Sequence, residues 1–379
     1  MYVKKNKTDF LIVGSGFYGS VLAERIANVL KKNVLIIDKR DHFGGNCYTV
    51  TDSNTGILYH KYGTHIFHTS NKKTWNYIKS FTEFNSYRHQ VLSSYKNKIY
   101  QMPINLETIN SFFNKNFKPG EAVKFFKKIT KKYLNKSCDN FEDRALSQIG
   151  EKLYNAFVKN YTIKQWNQHP RKLPANIFNR LPIRFNYNED YFNQCNWQGM
   201  PKDGYTEVFR RILSNKRIRF VNNTLYKLSD EYNVKYLTIF TGPLDKLLSN
   251  KFGELKWRSL KFVKEIKNVS DYQGTSVMNY PELKYKFTRV HEPRHLHKDR
   301  NYKTKKTLIM KEYPVSNSSE PYYPINDVQN RELHRKYKKI AEKIPKFEFG
   351  GRLSDYAYYD MDMTISAALK KFDKILKKF

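Results

Sequence analysis

The sequence predicts an α/β fold: a nucleotide-binding unit on parallel strands, joined to a small helical lobe and an antiparallel sheet. Three observations carry this. A strand–glycine turn–helix–strand unit runs from Phe10 to Asp38. A helical period occupies Leu106 to Tyr161. Apolar residues alternate from Trp257 to Tyr313.

The first unit is the most specific. Phe10 to Val13 has the length of a buried strand. Gly14-Ser15-Gly16-Phe17-Tyr18-Gly19 follows, then a helix with Val21, Leu22, Ala23, Ile26, Ala27 and Leu30 on one face. A second apolar run, Val34 to Ile37, ends at Asp38. This order and spacing suit a dinucleotide. Gly14 permits the tight turn, Gly16 lets backbone approach a pyrophosphate, and Gly19 lets helix and strand pack closely. The helix N-terminus offers unpaired N–H groups to the pyrophosphate, and Asp38 accepts hydrogen bonds from a ribose. Gly44-Gly45 lies six and seven positions past Asp38. That acid-x6-GG run resembles the signature of FAD-binding flavoproteins, so FAD is the expected dinucleotide.

At 379 residues the chain has room for two or three lobes, and 40% of it is apolar. The net charge of +34 at first suggests nucleic acid. Its lysines are scattered rather than blocked, and Asn, Ile, Tyr and Phe are abundant too. A composition bias toward AT-rich codons accounts for this, so no nucleic-acid partner is expected. Cys47, Cys138 and Cys195 form no CxxC, which suits a reducing compartment. No signal peptide and no run of about 18 apolar residues occurs. A cytoplasmic protein without membrane insertion is expected.

His60, His65 and His68 are spaced five and three apart. On a strand, odd offsets put side chains on opposite faces, so no metal is expected; one or two of these histidines face a cofactor instead. Tyr87 to Met102 alternates as strands, ended by Pro103. Glu121 to Tyr133 and Phe141 to Lys159 each carry an apolar stripe and form the helical lobe. After Tyr161-Thr-Ile-Lys-Gln-Trp166, the prolines 170, 174 and 182 mark a surface loop or lid. Arg180 and Arg184 there carry fixed charge suited to a phosphate. Strand-like runs are expected at Ile183 to Tyr187 and Tyr191 to Trp197. Gly204 to Leu213 reads as a helix, Arg217 to Val221 and Tyr236 to Phe240 as strands, the latter ending in Thr241-Gly242-Pro243. In the alternating stretch that follows, Arg289 sits inside a strand. A helix from about Asp327 to Ile344, a strand Phe347 to Phe349, a Gly350-Gly351-Arg352 turn and a last helix near Ile365 complete the chain.

The motifs GSGFYGS, DKRDHFGGNCY, KYGTHIFH, YTIKQW, NRLPIRFNY, EPYYPIND and GGRLSDYAYYDM occur in this order. With them, from about Asp9 to Ala368, the chain resembles the bacterial UDP-galactopyranose mutases. The resemblance implies a discontinuous Rossmann-like FAD-binding domain (1–82, 199–248 and 324–379). It also implies a helical lobe at 104–166 with a lid at 167–182, and an antiparallel sheet domain at 83–103, 183–198 and 249–323. It implies an isomerase that interconverts UDP-galactopyranose and UDP-galactofuranose for cell-surface polysaccharide. N5 of reduced FAD is the implied nucleophile at the anomeric carbon, with no net redox change. A reductant such as NAD(P)H and a homodimer are also implied.

Carried residue by residue, the resemblance makes Arg180 and Arg289 the diphosphate arginines and His65 the histidine beside the flavin, supported by His68. Phe157, Tyr161, Trp166, Tyr191, Asn279, Tyr323, Tyr358 and Asp360 are the substrate contacts. Gly14, Gly16, Phe17, Gly19, Asp38, Lys39, Gly45, Asn46, Arg352 and Met361 join His65 around the cofactor. Three positions depart from the family pattern. Asn167 replaces the usual glycine after the tryptophan. Thr64 occupies a position that is small or proline for galactose and arginine for its N-acetylated counterpart, which implies plain galactose. His89 replaces an asparagine near the sugar. The rival readings are a mutase for an N-acetylated UDP-sugar, a flavin amine oxidase-like oxidoreductase, and a nucleic-acid-binding protein on a flavin fold.

Overall fold

The computed structural model describes residues 7–134, 138–180, 183–192, 194–316 and 320–379; the side chains of Asn176, Asn179 and Arg180 lie outside the described residues. Two sheets organise it. The first has five parallel strands in the order Phe347–Phe349, Val234–Phe240, Thr8–Val13, Val34–Ile37, Ile218–Val221. Its central strand reads as an unbroken apolar run because both faces are covered. On one face lie the helices Phe17–Asn28, Tyr205–Ile212 and Met361–Leu376, packed around Val21, Leu22, Ile26, Phe209 and Ile365. On the other lies the helix Val328–Ala341, held through the fully buried Tyr337.

The second sheet has seven strands, Tyr323–Pro324, Trp257–Lys267, Thr307–Val315, Arg289–His291, Val277–Asn279, Val91–Tyr95 and Lys98–Met102. It is antiparallel except where Val277–Asn279 runs parallel to Val91–Tyr95. The strand Trp197–Gly199 pairs instead with Phe67–Thr69. The strand-like runs expected at Ile183 to Tyr187 and Tyr191 to Trp197 do not form as such. Side chains of Asn186, Asn188 and Asp190 each accept the backbone N–H two residues on, folding this stretch into successive turns.

The helical lobe packs around Phe126, Phe141, Ile149, Leu153, Phe157 and Phe178. The stripe expected from Phe141 to Lys159 is not one helix. The helix Phe141–Leu153 breaks at Gly150, where φ is 69°, then a π-helical turn at Tyr154–Val158 leads into Lys159–Trp166. A β-carbon on Gly150 would lie 3.1 Å from Ile129 of the neighbouring helix, so glycine there serves close helix packing. The YTIKQW motif is therefore helical. Asn167 ends that helix at φ 51°, the left-handed position a glycine would otherwise take.

Candidate active site

A cavity of about 1980 Å³ runs from the glycine turn, beneath the seven-stranded sheet, to the helical lobe. Pockets for a single drug-sized ligand span roughly 300–1,000 Å³, so this one has room for a dinucleotide and a second nucleotide.

At one end, three glycines have three different reasons. A β-carbon on Gly14 (φ 103°) would meet Thr241 Oγ1 at 2.0 Å, and one on Gly19 would meet the Gly14 carbonyl oxygen at 2.0 Å. A β-carbon on Gly16 would meet no protein atom within 4 Å, so its bareness serves a ligand rather than the fold. The helix Phe17–Asn28 starts there with no capping side chain and no acid in its first turn, leaving N–H groups free for an anion. Asp38 is buried. Its Oδ2 accepts from Ser15 N (2.8 Å) and Ser15 Oγ (2.6 Å), and its Oδ1 from Arg40 N (3.0 Å). It thus braces the turn besides facing the cavity. Lys39 reaches out to Glu320 at 2.8 Å. Arg40 binds Asn46 and Glu320 and stacks its guanidinium 4.1 Å above Tyr62, with Nη1 buried and unpaired among the described residues.

Deeper in, Gly350 and Gly351 pass against Tyr18, where a β-carbon on Gly350 would lie 2.2 Å from the phenol oxygen. This close approach delivers Arg352 to the cavity. Its guanidinium lies 5.2 Å from the Tyr323 ring and 5.0 Å from Tyr358, and those rings stack on each other at 5.7 Å. Arg352 Nε and Nη2 are buried with no partner among the described residues. A cation with two orphaned donors at one end, and a bare glycine turn with free helix N–H groups at the other, fit FAD. His65 lines the same cavity, within electrostatic reach of Arg352. Its Nδ1 contacts the Gly63 carbonyl at 2.6 Å, so that nitrogen carries the hydrogen and Nε2 is an acceptor. Loss of hydration, only partly offset by that carbonyl, pulls its pKa down to about 4, so the imidazole is neutral at pH 7.

The sheet forms the opposite wall. Asn279 pairs with Arg289, Arg289 with Glu312, and Glu312 with Phe262. Residues directly opposite across a sheet share a face, and two steps along the strand His291 shares it too. All five line the cavity. Arg289 Nε donates to the Tyr161 phenol oxygen at 2.7 Å and lies 3.7 Å from Glu312 Oε1. Burial alone would lower the arginine, but Glu312 and the surrounding tyrosines hold it firmly charged. Burial alone would likewise raise Glu312, yet Arg289 and His291 outweigh it and keep the carboxyl below its usual range. Burial pushes Tyr161 up to about 12. Its oxygen already accepts from Arg289, so its own hydrogen is free for a ligand. Asn279 Oδ1 is buried without a partner among the described residues.

Of the residues expected at the site, Phe157, Tyr161, Tyr191, Asn279, Arg289, Tyr323, Tyr358, Asp360 and Met361 line the cavity. So do His65, Arg352, Gly14, Gly16, Phe17, Gly19, Asp38, Lys39, Gly45 and Asn46. Trp166 does not; it packs against the apolar cluster of the helical lobe. The side chain of Arg180, and residues 181–182 of the expected lid, lie outside the described residues. His89 lines the cavity, buried, with Nδ1 2.9 Å from the Tyr87 hydroxyl. Sequence reasoning missed Arg40, His291 and Glu312. Only Arg40 had a local signal, since it stands beside Lys39 in the same motif. The described residues also bring Asp271, Glu292 and His295 together. There Glu292 is already occupied by the Tyr272 and Gln273 amides and the Thr307 hydroxyl.

Lys164, one turn beyond Tyr161, ties the site together. Its Nζ, with three hydrogens to donate, lies within hydrogen-bond distance of the carbonyls of Tyr280, Glu282, Tyr285 and Phe287, the connection between Asn279 and Arg289. Lys164→Met leaves these carbonyls without their cation. We expect about 2 kcal/mol or more of lost stability, read as a lower urea midpoint.

The buried histidines make stability acid-sensitive. Burial pulls His89 down to about 3 and His65 to about 4, against 6.5 for an ordinary histidine. The unfolded chain therefore binds protons below pH 6.5 that the folded chain refuses. Stability falls as pH drops from 6.5 toward those values, by about 1.4 kcal/mol per pH unit for each fully excluded proton. Urea midpoints at pH 7.5 and 5 check this; equal midpoints contradict it.

The sequence model of the family described as UDP-galactopyranose mutase matches residues 156–358, and that of an NAD(P)-binding Rossmann-like domain matches residues 12–81. A probable UDP-galactopyranose mutase of Klebsiella pneumoniae is 40% identical, covering 98% of this chain and 95% of its own. A dTDP-fucopyranose mutase of Escherichia coli is 38% identical over 95% of this chain and 96% of its own. The UDP-galactopyranose mutase of Mycoplasma genitalium is 36% identical over 99% and 96%. Among solved structures, a reduced UDP-galactopyranose mutase superposes with a TM-score of 0.78 at 14% identity, over 99% of this chain and 95% of that one. A putative protoporphyrinogen oxidase from Exiguobacterium gives a TM-score of 0.66 at 11% identity, over 99% and 100%. Among the described residues, no helix is long and apolar enough to cross a membrane.

Proposed function

Because this chain belongs to the UDP-galactopyranose mutase family, we propose that it interconverts UDP-galactopyranose and UDP-galactofuranose on a reduced FAD. The observation that carries this reading is the Asn279–Arg289–Glu312 row, which faces the same cavity as the glycine turn and Arg352. An oxidase needs a flavin and a substrate slot. It does not need a half-buried, permanently charged arginine facing the slot.

When bound and reduced, FAD supplies a nucleophilic nitrogen, N5, for the anomeric carbon, and the overall reaction is redox-neutral. The chain's own residues do the rest. The free N–H groups behind Gly16 and the carboxylate of Asp38 hold the adenosine end, and Arg352 meets the ring end. Arg289, with Arg180 from the lid, binds the diphosphate and stabilises the charge on departing UDP. Tyr323 and Tyr358 donate hydroxyl hydrogens to the phosphates, Tyr161 lies near the uridine and sugar, and Asn279 contacts the sugar. Neutral His65 adds an acceptor without a charge. Holding UDP in place keeps it aligned for return, an effect of proximity. In the same reading the sheet and helical lobe form the substrate domains inserted in the FAD domain, the enzyme acts as a homodimer, and NAD(P)H or a similar donor keeps FAD reduced.

The test is conversion of UDP-galactofuranose by purified protein, with and without dithionite. Turnover confined to the reduced enzyme supports the reading; a bound, reducible flavin with no conversion overturns it. A second reading, a mutase for another nucleotide sugar, is favoured by the dTDP-fucopyranose mutase among the relatives. Running the assay in parallel with the dTDP-fucose and N-acetylated UDP-sugar furanoses separates the two.

A further inference from the structure

A hydrogen-bonded chain leads from the buried sheet to the cavity, and its residues have the order nucleophile–imidazole–carboxylate. Glu312 Oε2 meets His291 Nε2 at 2.9 Å, and His291 Nδ1 meets Thr64 Oγ1 at 2.9 Å. All three residues line the cavity. Glu312 and His291 are nearly inaccessible to solvent, while Thr64 is only partly covered. The fold spends structure on this contact. Thr64 follows Gly63, whose φ is 95° and whose β-carbon would lie 2.5 Å from the Phe262 ring. Only a glycine lets the loop press that closely onto the sheet, and Phe262 is the residue paired with Glu312. The loop is thereby held where its next residue reaches His291.

The hydrogens follow from the partners. The ionised Glu312 only accepts, so His291 Nε2 carries a hydrogen. When His291 is neutral its Nδ1 is an acceptor, and the Thr64 hydrogen points at it. When His291 is protonated, Nδ1 donates to Thr64 Oγ1, and the Thr64 hydrogen turns to the cavity. The threonine hydroxyl thus accepts from a cavity ligand in one state and donates to it in the other. Other charged and titratable groups around the imidazole are Arg289, two residues back on the same strand, and the neutral His60, His65 and His89; the Phe262 ring packs against it.

Such a switch matches a requirement of the proposed reaction, on which this inference rests. Pyranose and furanose rings close through different sugar oxygens. Between the two forms, one O–H bond must form at the oxygen released from the old ring, and one must break at the oxygen that closes the new ring. We propose that Thr64, backed by His291 and Glu312, is the proton relay for this exchange. On ring opening, Thr64 Oγ1 gives its proton to the released oxygen and takes one from His291 Nδ1, leaving a neutral imidazole. On closure, the attacking hydroxyl gives its proton to Thr64 Oγ1, which returns one to His291, and Glu312 holds the imidazolium. Protons balance over the cycle, and no other reactant is consumed. Thr64 is the member that touches the sugar; His291 and Glu312 act through it.

The experiment uses the reduced holoenzyme. Thr64→Val keeps the shape and removes the hydroxyl. It should lower kcat by about 100-fold, the ordinary contribution of a positioned acid–base group. Flavin content and UDP affinity should stay within about twofold. Thr64→Ser should restore most of the lost kcat. The solvent deuterium isotope effect on kcat should grow in Thr64→Val, because proton transfer then limits turnover. Independently of activity, the 15N resonance of His291 Nδ1 in histidine-labelled protein should shift in Thr64→Val. Wild-type kcat in Thr64→Val, a loss that serine does not restore, or an unmoved Nδ1 resonance overturns the relay and leaves the mutase reading standing. A wild-type enzyme that is itself inactive when reduced overturns both.

Discussion

Arg289→Ala is expected to lower turnover by about three orders of magnitude while flavin content stays near that of the wild type. The arginine reaches Tyr161 and Glu312 across the cavity from the glycine turn, so no contact of the adenosine end depends on it. Removing one preorganised charged donor from a site where charge develops ordinarily slows an enzyme by about 100- to 1,000-fold. Here the loss falls at the upper end, because Glu312 is left as a buried carboxylate facing a departing dianion. Arg289→Lys should recover only part of the rate, since an ammonium cannot hold both Tyr161 and a phosphate in the guanidinium's fixed fork. Flavin absorbance per polypeptide and single-turnover rates with reduced enzyme measure the two quantities separately. A parallel fall in both would assign Arg289 to the fold instead.

The second large effect is a contrast between two glycines three residues apart. In Gly19→Ala the new methyl would sit 2.0 Å from a backbone oxygen, which cannot rotate away. The helix Phe17–Asn28 must then lift off the first strand, and we expect about 3 kcal/mol or more of lost stability even in flavin-free protein. In Gly16→Ala the methyl meets no protein atom within 4 Å. Stability of the apoprotein should be unchanged, whereas FAD affinity falls by about 100-fold or more because the methyl stands where backbone must approach the pyrophosphate. Urea unfolding of both apoproteins, paired with flavin titration, distinguishes these outcomes. An apoprotein destabilised equally by both substitutions contradicts the assignment of Gly16 to the ligand.

Helix existence was legible along the chain wherever an apolar stripe was long, as in Phe17–Asn28 and Val328–Ala341. The break at Gly150 was not, because periodicity records which face is apolar and says nothing of a φ reversal at a single glycine. Ile183 to Tyr187 and Tyr191 to Trp197 read as strands because aromatic residues dominate the pattern, while the Asn and Asp side chains from Asn186 to Asp190 compete for the backbone. Trp166 packs against the apolar cluster of the helical lobe, to which Phe157 also belongs while lining the cavity. A motif gives a residue's position on a helix; the packing of that helix gives the direction of its side chain.

The sequence alone determined the nucleotide turn, the acid that braces it and the family to which the chain belongs. These depend on contiguous spacing: a strand, a turn and a helix within about thirty residues can be joined in few ways. Tertiary structure decided which residues meet on the cavity's sheet wall. Glu312 and His291 reach Arg289 and Thr64 through strand register, and Thr64 reaches the sheet because Gly63 lies against Phe262. Those partners are separated by tens to hundreds of positions in the chain. The free energy that selects one register over another comes from the whole buried face rather than from any local pattern.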